Sequence, residues 1–324
     1  GDVAAAGEML CEAAHRLPGQ QNAIQAAYQT ALAGISGAAE RDAGIAIGER
    51  AAAAVLAARA ADGATTPEAY RPHTTPGAYV PTALPAVPQW AARKPWLIDS
   101  PTSLRPGPPP ATTSEAWARD FNEVKILGGK NSTSRSAEQT EIARFWEFSL
   151  PAIYHGLVRS VASAPGRDAL ANARLYAVTS QAMDDALISV MDAKYHYNFW
   201  RPITAVRNGD IDGHDATERD PTWAPLIDTP AHPEYPCAHC VLAATVGTTL
   251  KAQMDALPGW ELSTASPTAK GATRRWASVD ELMREVANAR IYDGVHYRNS
   301  TEVGLAMGRR IGEVAAARLQ QTAN

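Results

Sequence analysis

The sequence predicts an all-α fold, and three observations support this prediction. Alanine-rich segments repeat apolar residues at helical spacing, most clearly within residues 20–35. Ser136 with Gln139, and Ser278 with Glu281, have the spacing of capping boxes at the first turn of a helix. No alternating strand pattern of convincing length and no internal repeat is present. We therefore predict helical bundles connected by long proline-rich wrapping loops.

The predicted helices follow one another along the chain, with glycines and two long loops between them. Their predicted ranges are 3–16, 20–35, 38–61, 136–148, 167–195, 237 onward, 278–290 and 301–320, with helix also resuming near Thr113. Pro236 favours a helix start at Cys237, because proline is well tolerated in a first helical turn. Residues 208–236 are predicted to form the second long loop.

The first long loop covers residues 64–112 and is rich in proline, including Pro108, Pro109 and Pro110. A structureless segment of this length is unusual inside a compact domain. Its tyrosines and tryptophans suggest that it packs across the helices in an ordered way. We therefore expect one helical domain over residues 1–324, with its oxyanion-binding core in residues 190–300.

Composition limits the classes of function. The chain has 324 residues and a net charge of -4, which argues against a general nucleic-acid-binding protein. No run of eighteen apolar residues predicts a membrane span. The sequence begins with Gly1, so we expect that a leader or tag was removed, and export to the periplasm or medium is favoured over the cytoplasm. Three cysteines are too few for a disulfide scaffold.

The first chemically suggestive cluster contains Lys194 and Arg201-Pro202. Residues seven positions apart lie on nearly the same side of a helix, so both cations can face one way. Two such cations repel each other unless an anion lies between them. The alternative is two surface cations, each with its own carboxylate partner.

The second cluster is the segment around Pro236, Cys237, Ala238 and His239. A helix that starts here leaves the amides of Ala238 and His239 without intrahelical acceptors, and such amides bind anions. His239 could then donate or accept a proton at neutral pH. The alternative is a histidine that only caps the helix or packs against it.

The third cluster contains Arg290, Gly294 and His296. A separation of six residues places Arg290 and His296 on different faces of a straight helix. Gly294 can end the helix and turn His296 back toward Arg290, because glycine tolerates left-handed backbone angles. Taken alone, this pattern is a weak signal.

Together, the order and spacing of the three clusters resemble one signature. Lys194 to Arg201-Pro202, Pro236-Cys237-Ala238-His239, and Arg290 to His296 match the motifs of the vanadium-dependent haloperoxidases and the acid phosphatases of the type 2 phosphatidic-acid-phosphatase superfamily. The phrases DAKYHYNFWRPITAVR, HPEYP, DFNEVKILGG and AEQTEIARFW are similar to the bacterial haloperoxidase-like branch. The resemblance extends over nearly the whole chain and implies an all-α, chloroperoxidase-like or phosphatase-like fold.

The resemblance also implies roles for individual residues. Vanadate would be the cofactor, and phosphate could occupy the same site. Its binding residues would be Lys194, Arg201, Cys237, Ala238 and Arg290. His296 would bond vanadium axially as a neutral imidazole, and His239 would be the acid–base residue. The implied reaction uses hydrogen peroxide to oxidise halide. The alternative is an acid phosphatase that hydrolyses a phosphate ester through a phosphohistidine. A homo-oligomer is compatible with either reading.

The sequence departs from the family pattern at three positions. Cys237 replaces a serine, Ala238 replaces a glycine, and Ser300 stands where many members carry aspartate. Each change affects how tightly vanadate is expected to bind. In addition, His232 lies seven residues before His239, a position where bromide-selective algal enzymes have a second histidine, although HPEYP also has the character of a loop motif.

The same residues also allow other interpretations. Cys237 and Cys240 form a C-x-x-C motif, but a thioredoxin-like redox site requires a βαβ context that is missing. A zinc site could recruit these cysteines with His232 and His239, yet it would leave the three cations unexplained. A helical binding module without catalytic activity predicts no buried cluster of cations.

Overall fold

A computed structural model describes residues 19–148, 151–254 and 261–321, and this part of the chain is mainly helical. Its helices and strands, in chain order, are α1 (Gln21–Ala33), α2 (Ala38–Arg59), α3 (Glu115–Gly128), α4 (Ala137–Glu147), α5 (Pro151–Ala162), α6 (Ala169–Tyr197), α7 (Pro202–Arg207), α8 (Ala238–Met254), β1 (Leu262–Ser266), β2 (Ala272–Trp276), α9 (Val279–Tyr292) and α10 (Arg298–Gln320). The all-α prediction is confirmed. The helix predicted over 3–16, with Cys11, lies outside the described residues.

Serine side chains start several of these helices. Ser136 and Gln139 form the complete predicted capping box, in which each side chain accepts from the other residue's amide. Ser278 accepts from the amide of Glu281, but the Glu281 carboxylate accepts from Ala277 instead of Ser278. Only half of the second predicted box therefore forms.

The chain divides into two compact units. Residues up to Thr65, together with Gly166–Arg174, make up one unit, which contains α1 and α2. Thr66–Pro165 and the chain from Leu175 make up the other unit, which contains the predicted oxyanion residues. The expectation of a single domain over residues 1–324 stays a prediction.

In the second unit, α8 is a buried central helix and packs most extensively against α10. Three glycines of α10, spaced four apart, allow this contact. A Cβ at Gly304 would collide with Cys237, one at Gly308 with the carbonyl oxygen of Val241, and one at Gly312 with Thr248. The close approach fixes the first turn of α8 against the first turns of α10.

The proline-rich segment is ordered where it meets α6, as predicted. The Asp185 carboxylate accepts hydrogen bonds from the backbone amides of Trp96, Leu97 and Ile98 at 2.7–3.1 Å. Further along the segment, Arg105 forms a bidentate pair with Asp192, with both distances 2.8 Å. These bonds attach residues 96–105 to the helix that carries Lys194.

Two strands and two helices were not predicted. β1 and β2 form an antiparallel hairpin that pairs Leu262 with Trp276. The inward face of β1 includes Thr264 and Ser266, so burial alternates along the strand although hydrophobicity does not. The helices α5 and α7 were also missed. Across the described ranges, no helix combines the length and apolar character that a membrane span requires.

Candidate functional site

Lys194 lies in the last turn of α6, and its side chain is fully buried. Its ammonium group donates to the carbonyl oxygens of Pro233 and Glu234, at 2.9 and 2.8 Å. Burial and the charge of Arg201 lower the pKa of Lys194 well below its usual value. A buried ammonium held by neutral carbonyls leaves positive charge available to an anion.

Arg201 precedes α7 and is also fully buried. Its guanidinium donates to the carbonyls of His232 and Val295, at 2.9 and 2.7 Å. It also donates to the Nδ1 of His232 at 3.0 Å and to the Nε2 of His296 at 3.2 Å. Burial lowers the pKa of Arg201 to about 10, so the group stays charged at neutral pH. Arg201 therefore joins the first cluster to His232 and to the third cluster.

His239 lies in the first turn of α8, next to Ala238, the first residue of that helix. Its carbonyl oxygen accepts from the hydroxyl of Tyr154 at 3.0 Å, and its buried Nε2 has no hydrogen-bond partner. Burial, followed by the charges of Arg290, Lys194 and Arg201, lowers the pKa of His239 well below its usual value. The ring is therefore neutral at pH 7 and able to accept a proton.

Cys237 caps the same helix. Its sulfur accepts from the amide of Cys240 at 3.2 Å, and both thiols are free and buried. Cys237 and Cys240 therefore do not form a disulfide with each other. Burial raises the pKa of Cys237, but hydrogen bonding from Cys240 and the charge of Arg290 outweigh it and lower the pKa overall.

The third cluster turns back on itself after α9 ends at Tyr292. Gly294 has a left-handed φ of 84°, and the amide of His296 donates to the carbonyl of Arg290 at 3.1 Å. Arg290 and His296 are only 1% exposed. The Arg290 guanidinium donates to the carbonyl of Trp146 at 2.9 Å and lies 2.7 Å from the carboxylate of Asp293. The predicted role of Gly294 in reversing the chain agrees with this geometry.

The contacts of His296 determine which ring nitrogen carries the proton. Arginine has no acceptor, so the Nε2 that contacts Arg201 must be the unprotonated nitrogen. The Nδ1 then carries the proton and donates to the Glu234 carboxylate at 2.7 Å. Burial, with the nearby cations, lowers the pKa of His296 well below its usual value, so the ring is neutral. The lone pair on the Nε2 of His296 consequently faces the guanidinium group of Arg201.

The contact with Arg201 also determines which ring nitrogen of His232 is unprotonated. Its Nδ1 accepts from Arg201, so the contact between this nitrogen and the Pro233 carbonyl is not a hydrogen bond. Burial and the charges of Lys194 and Arg201 lower the pKa of His232 well below its usual value. His232 therefore belongs to the cluster and holds Arg201 with both its ring and its carbonyl.

The charges of the cluster favour an anionic ligand. Three buried cations, Lys194, Arg201 and Arg290, face two buried carboxylates, Glu234 and Asp293. Burial raises the pKa of Glu234 to about 7 and that of Asp293 to about 6, which reduces their negative charge further. The Nε of Arg290 is buried without a partner, as is the Nε2 of His239. An orphaned buried donor such as the Nε of Arg290 is rare in proteins, and a tetrahedral oxyanion such as vanadate or phosphate would accept from it.

Two carboxylates of the site were not predicted. Glu234 lies within the HPEYP phrase, but nothing in that phrase indicates contact with a histidine 62 positions later. Asp293 lies beside Arg290 in sequence and could have been recognised by its separation of three residues. Ser300 lies in the first turn of α10, where its carbonyl accepts from the amide of Cys237 at 3.2 Å and its buried hydroxyl interacts with the carboxyl group of Glu234, which lowers the pKa of that carboxyl.

The zinc alternative is wrong for the described part of the chain, where no group of three or more His, Cys, Asp or Glu side chains could hold a metal ion. The alternative of two surface cations is also wrong, because Lys194 and Arg201 are both fully buried.

Comparison with known proteins gives consistent results. Residues 174–324 match the family described as the VCPO second helical-bundle domain. A vanadium chloroperoxidase from Curvularia inaequalis is 31% identical over 142 residues, covering 36% of this chain and 23% of that protein. The chain therefore matches about a quarter of the length of this relative.

Solved structures show the same likeness. A bacterial vanadium-dependent iodoperoxidase superposes with a TM-score of 0.73 and 26% identity, covering 86% of this chain and 68% of that one. A bacterial vanadium-dependent chloroperoxidase in its holo form superposes with a TM-score of 0.80, covering 98% of this chain and 82% of that one. Its identity of 17% supports similarity of fold alone.

Proposed function

We propose that this chain is a vanadium-dependent haloperoxidase that uses hydrogen peroxide to oxidise halide, because residues 174–324 match the model of the VCPO second helical-bundle domain. One observation carries the proposal. The neutral His296 directs an unprotonated Nε2 toward the buried cations Lys194, Arg201 and Arg290, and within the described part of the chain its polar contact is Arg201. This is the arrangement that an oxyanion able to take a fifth, nitrogen ligand requires.

The residues present fit vanadate. Lys194, Arg201 and Arg290 would bind its oxygens through charge-assisted hydrogen bonds, and the amide of Ala238 would add a neutral donor at the helix start. His296 would supply the nitrogen ligand. Bound vanadate would act as a Lewis acid that activates hydrogen peroxide toward attack by halide.

The chain's own side chains would prepare the site for this chemistry. His239 is neutral at pH 7 and only 8% exposed, so it can take a proton from an incoming hydroperoxide and later return it. The cations would stabilise negative charge in surroundings that exclude most water, where such interactions are strong. Cys237 occupies the position of the family serine, and its sulfur caps α8.

Paired assays test the proposal. Protein incubated with vanadate should oxidise halide in a peroxide-dependent reaction, and the same protein without vanadate should not. Hydrolysis of a phosphate monoester should stay near background in both samples. Robust ester hydrolysis without halide oxidation would contradict the proposal and favour the acid phosphatase. Substituting His239→Ala, with His155→Ala as a matched histidine control outside the cluster, identifies activity that depends on the pocket.

A further inference from the structure

We infer that Glu234 is a positioning residue of this site, whose side chain fixes both the proton and the orientation of His296. Its main chain anchors Lys194 at the same time, so one loop residue holds two groups of the pocket. The inference deepens the proposed function and rests on it only for the identity of the oxyanion. The position of the proton on His296 can be measured without any ligand.

The side-chain geometry supports this role. The Oε1 of Glu234 accepts from the Nδ1 of His296 at 2.7 Å and from the amide of Tyr297 at 3.2 Å. Two donors on one oxygen, one of them from the backbone, hold the carboxylate in a single orientation. Arg201 contacts the opposite nitrogen of the same ring at 3.2 Å. The imidazole is therefore held from both sides in the tautomer with its proton on Nδ1.

This tautomer is the one that the proposed chemistry needs. A neutral imidazole offers one lone pair, and the nitrogen that carries the proton cannot act as a ligand. Carboxylates that accept from the distal nitrogen of a ligating histidine orient the ring and raise its basicity. Without Glu234, the amide of Tyr297 and the Nδ1 of His296 would both lose an acceptor.

A purely structural role for the Glu234 side chain is less consistent with the contacts. The loop at Glu234 is already held through its main chain. The Glu234 amide donates to the carbonyl of Phe199 at 2.9 Å, and the carbonyls of Pro233 and Glu234 accept from Lys194. The carboxylate is not needed for those bonds. It accepts instead from His296 and from the residue that follows it, and it also interacts with the hydroxyl of Ser300.

Two substitutions of Glu234 separate the effect of its hydrogen bonds from the effect of its negative charge. In Glu234→Ala, both hydrogen bonds to Oε1 are lost. In Glu234→Gln, the amide oxygen can still accept from His296 and Tyr297, but the negative charge is gone. Asp185→Asn is the matched control, because Asp185 is also a fully buried carboxylate that accepts from backbone amides. Circular dichroism and thermal unfolding establish that each variant folds.

The first measurement is the tautomer of His296 in protein labelled with nitrogen-15, from two-bond proton–nitrogen correlations, with His296→Gln to assign the signals. We expect the Nδ1–H form in the wild type, in Glu234→Gln and in Asp185→Asn. In Glu234→Ala, the signals should shift toward a mixture of both tautomers. An Nε2–H tautomer in the wild type, or an unchanged spectrum in Glu234→Ala, would overturn the inference.

The second measurement compares the dissociation constants of vanadate and phosphate. Loss of a carboxylate behind a ligating histidine typically weakens metal binding by about 10- to 100-fold. Phosphate takes no nitrogen ligand in its ground state, so its affinity should hold or improve when a negative charge is removed. We expect Glu234→Ala to reduce the preference for vanadate over phosphate by about 10- to 100-fold, with a smaller reduction in Glu234→Gln. An equal loss for both anions would mean a structural role and overturn the inference.

The two measurements also separate this inference from the proposed function. If the wild type binds phosphate but not vanadate, the haloperoxidase proposal fails. The tautomer of His296 still decides whether Glu234 has the positioning role. A change of this tautomer in Glu234→Ala, with none in Glu234→Gln or Asp185→Asn, supports that role.

Discussion

Gly294 is the position where the chain turns Arg290 and His296 toward one pocket, so Gly294→Ala should damage both stability and anion binding. Its φ of 84° lies in the left-handed region, which alanine adopts at a cost of roughly 1–2 kcal/mol. An added Cβ would also overlap the carbonyl oxygen of Gly128 and lie 2.9 Å from the Cβ of Pro225. Overpacking of this kind costs about 1–3 kcal/mol. Together, these contributions predict a loss of about 2–5 kcal/mol in the free energy of unfolding.

A matched control isolates the collision from the backbone strain. Gly271 has a φ of 77°, and a Cβ there would meet nothing within 4 Å. Gly271→Ala should therefore cost only the roughly 1–2 kcal/mol of strain. Urea denaturation of both variants, with and without phosphate, gives the comparison. Gly294→Ala should lose more stability and most of the stabilisation by phosphate, whereas Gly271→Ala should keep that stabilisation. Equal losses in the two variants would refute the reasoning.

Three further predictions concern pocket side chains. Arg290→Ala should weaken phosphate binding by at least about tenfold, because charge-assisted hydrogen bonds contribute about 1.5–3 kcal/mol. His239→Ala should mainly slow turnover, by about 10²- to 10⁴-fold. Kinetics that show unchanged turnover in His239→Ala would contradict the acid–base role of this histidine. Cys237→Ser should make halide oxidation persist longer in peroxide, because a thiol of lowered pKa is prone to oxidation. Mass spectrometry that finds Cys237 unmodified in steadily active wild-type enzyme would contradict this prediction.

Local signals predicted the elements whose stability is decided locally. Ser136 with Gln139 start α4 as expected, and Pro236 marks the start of α8 within one residue. The hairpin was missed because Thr264 and Ser266 occupy its buried face, where a hydrophobic pattern would be expected. The Thr264 hydroxyl donates to the carbonyl of Ile153, and such a partner cannot be seen in the sequence.

In the candidate site, too, the sequence predicted some residues and missed others that depend on tertiary contacts. The spacing of Lys194, Arg201, Arg290 and His296, together with the family resemblance, was enough to identify side chains that the fold brings together. Glu234 was not identified, because its contact depends on how two distant loops pack. A hydrogen-bond partner from a distant loop, such as Glu234, can be recognised only in the tertiary structure. The cations that share an anionic ligand, in contrast, form a recognisable spacing pattern in the sequence. Export of the protein stays a prediction.

Vanadium analysis of protein dialysed after incubation with vanadate tests the central claim most directly. We expect one vanadium per wild-type chain and the same in His155→Ala, whose histidine lies outside the pocket. His296→Ala should retain little vanadium yet still bind phosphate, because Lys194, Arg201 and Arg290 remain. Vanadium retained equally by His296→Ala, or absent from the wild type under conditions where phosphate binds, would contradict the account.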